Sequence, residues 1–124
     1  MRGAGTKYLI SYQANSMRVI EVYCMGRYAG LLEESDHRHY IFRYSDEYLE
    51  DTALPPVSVN LPKHQQEYEG EALLPYFQSL LPEGRNRKVF CQENKVDEDD
   101  WFGMLAALSG RDIPGAVKLK SDSQ

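Results

Sequence analysis

The sequence has little of the chemistry on which metal centres and redox sites depend. Its 124 residues include two cysteines and three histidines. Cys24 and Cys91 lie in no CxxC pair and in no Cys/His cluster, so a metal or redox motif is unsupported. Two free thiols are the default arrangement in a reducing compartment, and a single long-range disulfide is the alternative.

Motifs for phosphate binding and nucleophilic catalysis are missing as well. The sequence contains no G-x-x-x-x-G-K-[ST] loop, no G-x-G-x-x-G loop and no G-x-S-x-G elbow. No stretch approaches the roughly 18 apolar residues of a membrane helix, and the N-terminal region has none of the features of a secretion signal. These absences predict a cytoplasmic protein that is not an enzyme, needs no cofactor and does not enter a membrane.

An excess of positive charge is also lacking. The chain has 14 Lys and Arg residues against 19 Asp and Glu residues, for a formal net charge of −5. Binding to nucleic acid through bulk electrostatics needs a clustered Lys/Arg face, so no direct nucleic-acid binding is expected. Domains have roughly 100 to 200 residues, so this chain is one domain and is too short for a two-lobed kinase. We expect the partner to be another protein or a small molecule.

Tyrosine, by contrast, is abundant. Nine Tyr, four Phe and one Trp make 11% of the residues aromatic. Tyrosine buries area while it keeps a polar hydroxyl, and it is enriched in protein interfaces. The alternative is that most of these tyrosines lie at the edge of the core of a small domain.

The first half of the chain has the period-two pattern of β-strands. In the first strand Ile20, Val22 and Cys24 face one way, and a turn at 25–27 leads into the returning strand. The fourth strand ends at Pro62. The five predicted strands are 19–25, 28–33, 39–44, 57–61 and 115–119.

Helical spacing follows from about residue 70. The first predicted helix is short and is capped by Ser45 or Asp46, and the second extends from Leu74 or Pro75 to Pro82. The third lies at 83–94, with Val89, Phe90 and Cys91 turned inward. The fourth extends from the acidic run at 97–100 to Gly110. This order predicts an α+β domain, in which a small, mostly antiparallel sheet is covered on one side by about three helices. The domain is expected at 17–120, between a flexible leader at 1–16 and a polar tail at 121–124.

Three groups of polar residues are candidate sites. The acidic run at 97–100 lacks the spaced ligands and turn glycine of a cation loop, so it is interpreted as the capped start of a helix. His37 and His39 have no third ligand nearby in the sequence. The basic cluster of Arg85, Arg87 and Lys88 is typical of a solvated helix face more than of an anion site.

Three ordered motifs resemble the N-terminal subdomain of HipA-type serine/threonine kinases. They are Pro56-Val-Ser-Val-Asn-Leu-Pro62, Tyr76-Phe-Gln-Ser-Leu-Leu-Pro-Glu-Gly84, and Leu105-Ala-Ala-Leu-Ser-Gly-Arg-Asp112 followed by Gly115-Ala-Val. The family patterns are similar to S-L-S-L-P, F-F-x-N-L-L-P-[DE]-[GS] and L-L-x-x-[IL]-G-R-D-x-x-G-A-V. The resemblance covers about 18–120. Asn60, Tyr76 and Ser79 depart from these patterns, since Ser, Phe and Asn are usual there.

The resemblance implies a role as well as a fold. In HipA-type kinases this subdomain is followed by the kinase core, of which this chain has no motif. A free-standing version is similar to the small antitoxin of tripartite HipBST systems, which implies that it binds and neutralises a HipT-like kinase and meets DNA only through a HipB-like protein. Two alternatives stay open: a detached regulatory subdomain of an intact HipA-like kinase, and a small protein-interaction adaptor.

The expected partner surface is the loop and turn between Pro62 and Tyr76. Its predicted contact residues are His64, Tyr68, Leu73, Leu74 and Tyr76, with Trp101 as a second candidate anchor. The alternative for these side chains is ordinary packing beneath the loop. For Trp101, the helical position next to Phe102 indicates either the margin of the core or an exposed site.

Overall fold

The computed structural model describes residues 18–35, 39–111 and 115–121. The elements in chain order are β1 (Arg18–Cys24), β2 (Arg27–Ser35), β3 (His39–Tyr44), α1 (Asp46–Glu50), β4 (Glu67–Gly70), α2 (Pro75–Gln78), α3 (Gly84–Asn94), α4 (Trp101–Leu108) and β5 (Val117–Ser121). The predicted leader, His37 and all but the first residue of the predicted tail lie outside the described residues. Within the described part, no helix combines the length and apolar character that crossing a bilayer requires.

The strands form one antiparallel sheet in the order β4-β3-β2-β1-β5. Ile20, Val22 and Cys24 of β1 are buried, as the alternation predicts. Met25 and Gly26 adopt positive φ angles of 55° and 77°, which close the tight turn into β2. The α+β prediction and the first three strands are thereby confirmed.

The core lies between one face of the sheet, called here the core face, and the helices. Phe77 of α2 lies 5.7 Å from Phe42, and Phe102 of α4 lies 6.3 Å from Tyr40, measured between ring centroids. Tyr48 of α1 stacks on Tyr44 at 5.8 Å. Three helices therefore pack on the side chains that β3 points to one side.

The predicted fourth strand at 57–61 is wrong. Val57 and Leu61 are buried, but the chain between them forms a turn in which Leu61 N donates to the Ser58 carbonyl at 2.9 Å. The apolar alternation arises because both ends of this turn point into the core, while Val59 points away from it. The strand that pairs with β3 on the side away from β2 is β4 (Glu67–Gly70), whose short sequence has little strand character.

Helices α1 and α2 begin where the sequence predicts. Ser45 caps α1 by accepting from Tyr48 N at 3.1 Å, and α2 starts at Pro75 but has only four residues. In α3 only Cys91 is buried, so the prediction that Val89 points inward is wrong. Cys24 and Cys91 are both buried and free, which leaves no disulfide between them.

Candidate protein-interaction surface

The acidic run directly precedes α4, and its last residue, Asp100, caps the helix, as the interpretation of the run as a capped helix start predicts. The Asp100 side chain accepts from Gly103 N at 3.0 Å, which satisfies one of the free N–H groups of the first turn. Its two oxygens also accept from the Arg18 guanidinium at 2.8 and 3.0 Å. Hydrogen bonding to Asp100 is the main reason that the pKa of Arg18 is raised; burial opposes it and Glu34 adds to it. The Asp100 and Arg18 charges thus fasten α4 to β1.

Loss of the Asp100 carboxylate should therefore be costly. We expect Asp100→Ala to lower the free energy of unfolding by about 2 kcal/mol, about half from the cap and half from the two-pronged ion pair. Urea denaturation measures the change. Asp99→Ala removes an exposed carboxylate from the same run, and it should cost less than about 0.5 kcal/mol. Equal losses would mean that the run acts through total charge and not through the cap.

His39 of the histidine pair and Arg87 of the basic cluster each have a local partner. His39 Nε2 lies 2.7 Å from Glu69 Oε1 on the sheet face opposite the core face. Arg87 donates through Nε to the Pro82 carbonyl at 2.9 Å. Among the described residues, no three His, Cys, Asp or Glu side chains come together as a metal ion would need.

Two buried tyrosines hold the loop at 51–63, called here the anchored loop. The Tyr44 hydroxyl accepts from Val57 N at 2.9 Å and donates to the Leu61 carbonyl at 2.5 Å, so it bridges the neck of the turn at 58–61. Burial raises the pKa of Tyr44 to about 12, which keeps this hydroxyl protonated as a donor. The Tyr48 hydroxyl donates to the Pro55 carbonyl at 2.5 Å.

A lysine completes this arrangement. Lys63 Nζ donates to the carbonyls of Asp51 and Leu54 at 2.7 and 2.9 Å, and it lies 4.8 Å from the centre of the Tyr48 ring. The anchored loop is therefore held at both ends and at its neck by side chains. No local sequence pattern predicts these roles, and the excess of tyrosine is the only signal for them.

The structure divides the predicted partner residues into two groups. Leu73 and Leu74 are 2% and 9% exposed and belong to the core, because the chain turns inward there before α2. They offer no contact surface in the folded domain, which corrects their place in the predicted surface. His64 is exposed, and Tyr68 and Tyr76 are partly buried.

Tyr68 and Tyr76 each have a fixed position. Tyr68 pairs with Phe42 across β4 and β3, and its hydroxyl donates to the Pro62 carbonyl at 2.5 Å. Tyr76 makes an edge contact with Phe77, with ring centroids 5.2 Å apart. Burial raises the pKa of both hydroxyls. Both rings thus present one side to the core and leave part of their surface accessible.

Trp101 lies at the margin of the core, one of its two predicted positions. It is partly buried, and the Arg87 guanidinium lies 5.4 Å from the centre of its ring. This stacking connects the start of α4 to α3. Its proposed contact with a partner stays a prediction, as do those of His64, Tyr68 and Tyr76.

The HipA N-terminal domain family matches residues 20–120. This chain belongs to that family. A solved structure described as the N-terminal domain of HipA toxin agrees with it at a TM-score of 0.65 and 29% identity, over 90% of this chain and 99% of the other. The resemblance in the three sequence motifs is thereby confirmed at the level of the HipA N-terminal domain.

Relatives match this chain over very different shares of their own length. An uncharacterized protein of Haemophilus influenzae is 34% identical over 104 residues, which are 84% of this chain and 92% of that protein. Putative kinase Y4mE of Sinorhizobium fredii is 33% identical over 109 residues, which are 88% of this chain and 26% of that protein. Putative kinase Y4dM of the same organism is 30% identical and is likewise covered over 26% of its length. The chain thus spans about a quarter of each of these two relatives.

Proposed function

We propose that this chain is a HipS-like antitoxin. It is a non-catalytic, cytoplasmic domain that binds a HipT-like serine/threonine kinase lacking its own HipA N-terminal domain and holds that kinase inactive. DNA is reached only through a HipB-like protein in the same complex. The chain itself binds no nucleic acid, membrane or cofactor.

The observation that carries this proposal is the pair of contexts in which the domain occurs. The matched region is about a quarter of two putative kinases but nearly all of the Haemophilus influenzae relative. Domains within one chain pack through interfaces that resemble those of transient complexes. A domain that forms most of a small protein can therefore keep the surface that a kinase covers in a longer chain, and bind it as a separate partner.

The accessible parts of His64, Tyr68 and Tyr76 form the surface that we assign to the kinase. Tyrosine supplies a large contact area at a low cost in conformational entropy, and both rings are already held by packing. Inhibition then requires that the domain cover the nucleotide or substrate site, or that it bind an inactive arrangement more tightly than the active one.

Co-expression with the kinase encoded by the neighbouring reading frame tests this function. The expected result is rescue of growth together with a stable complex that survives gel filtration. Rescue without a complex would contradict direct binding, and a complex without rescue would contradict neutralisation.

Substitutions on the assigned surface test its place. We expect His64→Glu combined with Tyr68→Ala to weaken kinase binding at least about tenfold. The added charge is costly to bury in an interface, and the lost ring removes contact area. Isothermal titration calorimetry measures the affinity, and circular dichroism checks the fold. Gln92→Glu adds the same charge at an exposed position of α3 and should leave the affinity for the kinase unchanged. Tyr68→Phe keeps the ring and should bind like the wild type. An unaltered affinity in the double variant would exclude this surface.

A second function is favoured by the two putative kinases, because this chain matches only 26% of the length of each. In that case the domain is the N-terminal regulatory part of an intact HipA-like kinase and normally packs within the same polypeptide. The neighbouring reading frames distinguish the two functions. The antitoxin needs a kinase gene that begins without this domain, whereas the regulatory part needs kinase sequence that continues from this chain.

A further inference from the structure

The anchored loop displays a single large hydrophobic side chain to solvent. Val59 is 90% exposed, more than Met25 at 60%, Tyr28 at 43% or Val89 at 44%, the other large hydrophobic side chains that are exposed in the described part of the chain. Its neighbours Val57 and Leu61 are 7% and 2% exposed. The turn therefore fixes its two ends in the core and projects Val59 away from it.

The backbone that carries Val59 is held in one conformation. Within the turn at 58–61, Asn60 N donates to Ser58 Oγ at 3.1 Å and Leu61 N donates to the Ser58 carbonyl at 2.9 Å. Below the turn, the Tyr44 hydroxyl joins Val57 to Leu61. A side chain on such a preformed turn loses little conformational entropy when it binds, so more of its contact energy is retained as affinity.

The sequence on either side of Val59 is uncharged. No Asp, Glu, Lys or Arg occurs from Thr52 to Pro62, although 27% of the chain is charged. The exposed residues of this stretch are Thr52, Ala53, Pro55, Pro56, Val59 and Asn60. Interface cores are depleted of charge, and a neutral tip enters an apolar pocket without burying an unpaired ion.

From these observations we infer that the turn at 58–61 is a preformed docking element, in which Val59 enters an uncharged apolar pocket on the catalytic region of the HipT-like kinase. The inference rests on the proposed function and adds a contact that the surface of His64, Tyr68 and Tyr76 does not include. The two regions adjoin, because the Tyr68 hydroxyl donates to the carbonyl of Pro62, which directly follows the turn. The kinase would cover both in one continuous interface.

Val59→Asp tests this contact without disturbing the fold, since a side chain that is 90% exposed contributes little to packing. We expect the thermal midpoint to stay unchanged and the affinity for the purified neighbouring kinase to fall about 30-fold, as for an interface hot spot. Val59→Ala should weaken binding about tenfold through the loss of two methyl groups. Val59→Ile should bind like the wild type.

Val89→Asp is the matched control, because it makes the same substitution at an exposed valine on α3. It should leave the affinity unchanged, and an equal loss in both variants would overturn the inference. Wild-type affinity in Val59→Asp would overturn the docking element and leave the proposed function intact. Failure of the wild-type chain to bind the kinase would overturn both. Analytical ultracentrifugation tests whether a second copy of this chain binds the turn instead of the kinase. A wild-type dimer that Val59→Asp dissociates, with unchanged kinase affinity, would assign the turn to that second copy.

Discussion

Gly30→Ala is expected to lower the free energy of unfolding by about 3 kcal/mol, because no space exists for a methyl group between β2 and β3. A Cβ at Gly30 would overlap the carbonyl oxygen of Arg43 and lie 3.0 Å from the Cα of Tyr44. Both atoms belong to the backbone of β3, which cannot move away without breaking its pairing with β2. The displacement would also reach Tyr44, whose hydroxyl holds the anchored loop.

The matched control is Gly70→Ala, the same substitution in β4 of the same sheet. The nearest atom to a Cβ at Gly70 is 3.6 Å away, an ordinary contact. Gly70→Ala should change the free energy of unfolding by less than about 0.5 kcal/mol. Urea denaturation of the two variants gives the comparison, and a Gly30→Ala variant as stable as Gly70→Ala would show that β3 tolerates the shift.

Tyr44→Phe is expected to cost about 2 to 4 kcal/mol, although it removes a single oxygen atom. The hydroxyl satisfies both Val57 N and the Leu61 carbonyl, and Tyr44 is fully buried. Phenylalanine fills the same space and leaves these two backbone groups without their partner. Since the turn at 58–61 would lose its fixed neck, kinase affinity should also fall, even where the variant is fully folded.

The corresponding change at Tyr76 is the control for this prediction. The Tyr76 ring is partly buried, and its hydroxyl makes no hydrogen bond with the described residues. Tyr76→Phe should therefore alter the free energy of unfolding by less than about 0.5 kcal/mol. Chemical denaturation and amide hydrogen exchange at Val57 and Leu61 measure the effect. Unchanged exchange in Tyr44→Phe would contradict the role of its hydroxyl in holding the loop.

The parts of the fold that could be predicted are those that local physics determines. Alternation in β1 follows from a sheet with one buried face, and the starts of α1, α2 and α4 follow from Ser45, Pro75 and Asp100. The HipA N-terminal domain could be assigned because three motifs occur in the family's order, which is far more specific than any one of them.

Long-range packing explains what could not be predicted. The alternation at 57–61 comes from a turn whose ends meet the Tyr44 hydroxyl, 13 and 17 positions away in sequence, and no local pattern carries that information. β4 is added at the edge of the sheet by pairing with β3, and its sequence Glu-Tyr-Glu-Gly has little strand character of its own. Leu73 and Leu74 lie in the loop that is predicted to contact a partner, but the chain turns inward before α2 and buries both side chains.

We propose above that this domain inhibits a kinase by binding it. The most direct measurement is the phosphotransfer rate of the purified neighbouring kinase as the purified chain is titrated into it. We expect the rate to fall to the background level once the chain is saturating, and Val59→Asp to shift the required concentration upward by about 30-fold. A rate that stays unchanged at a saturating concentration of the folded wild-type chain would contradict inhibition by binding.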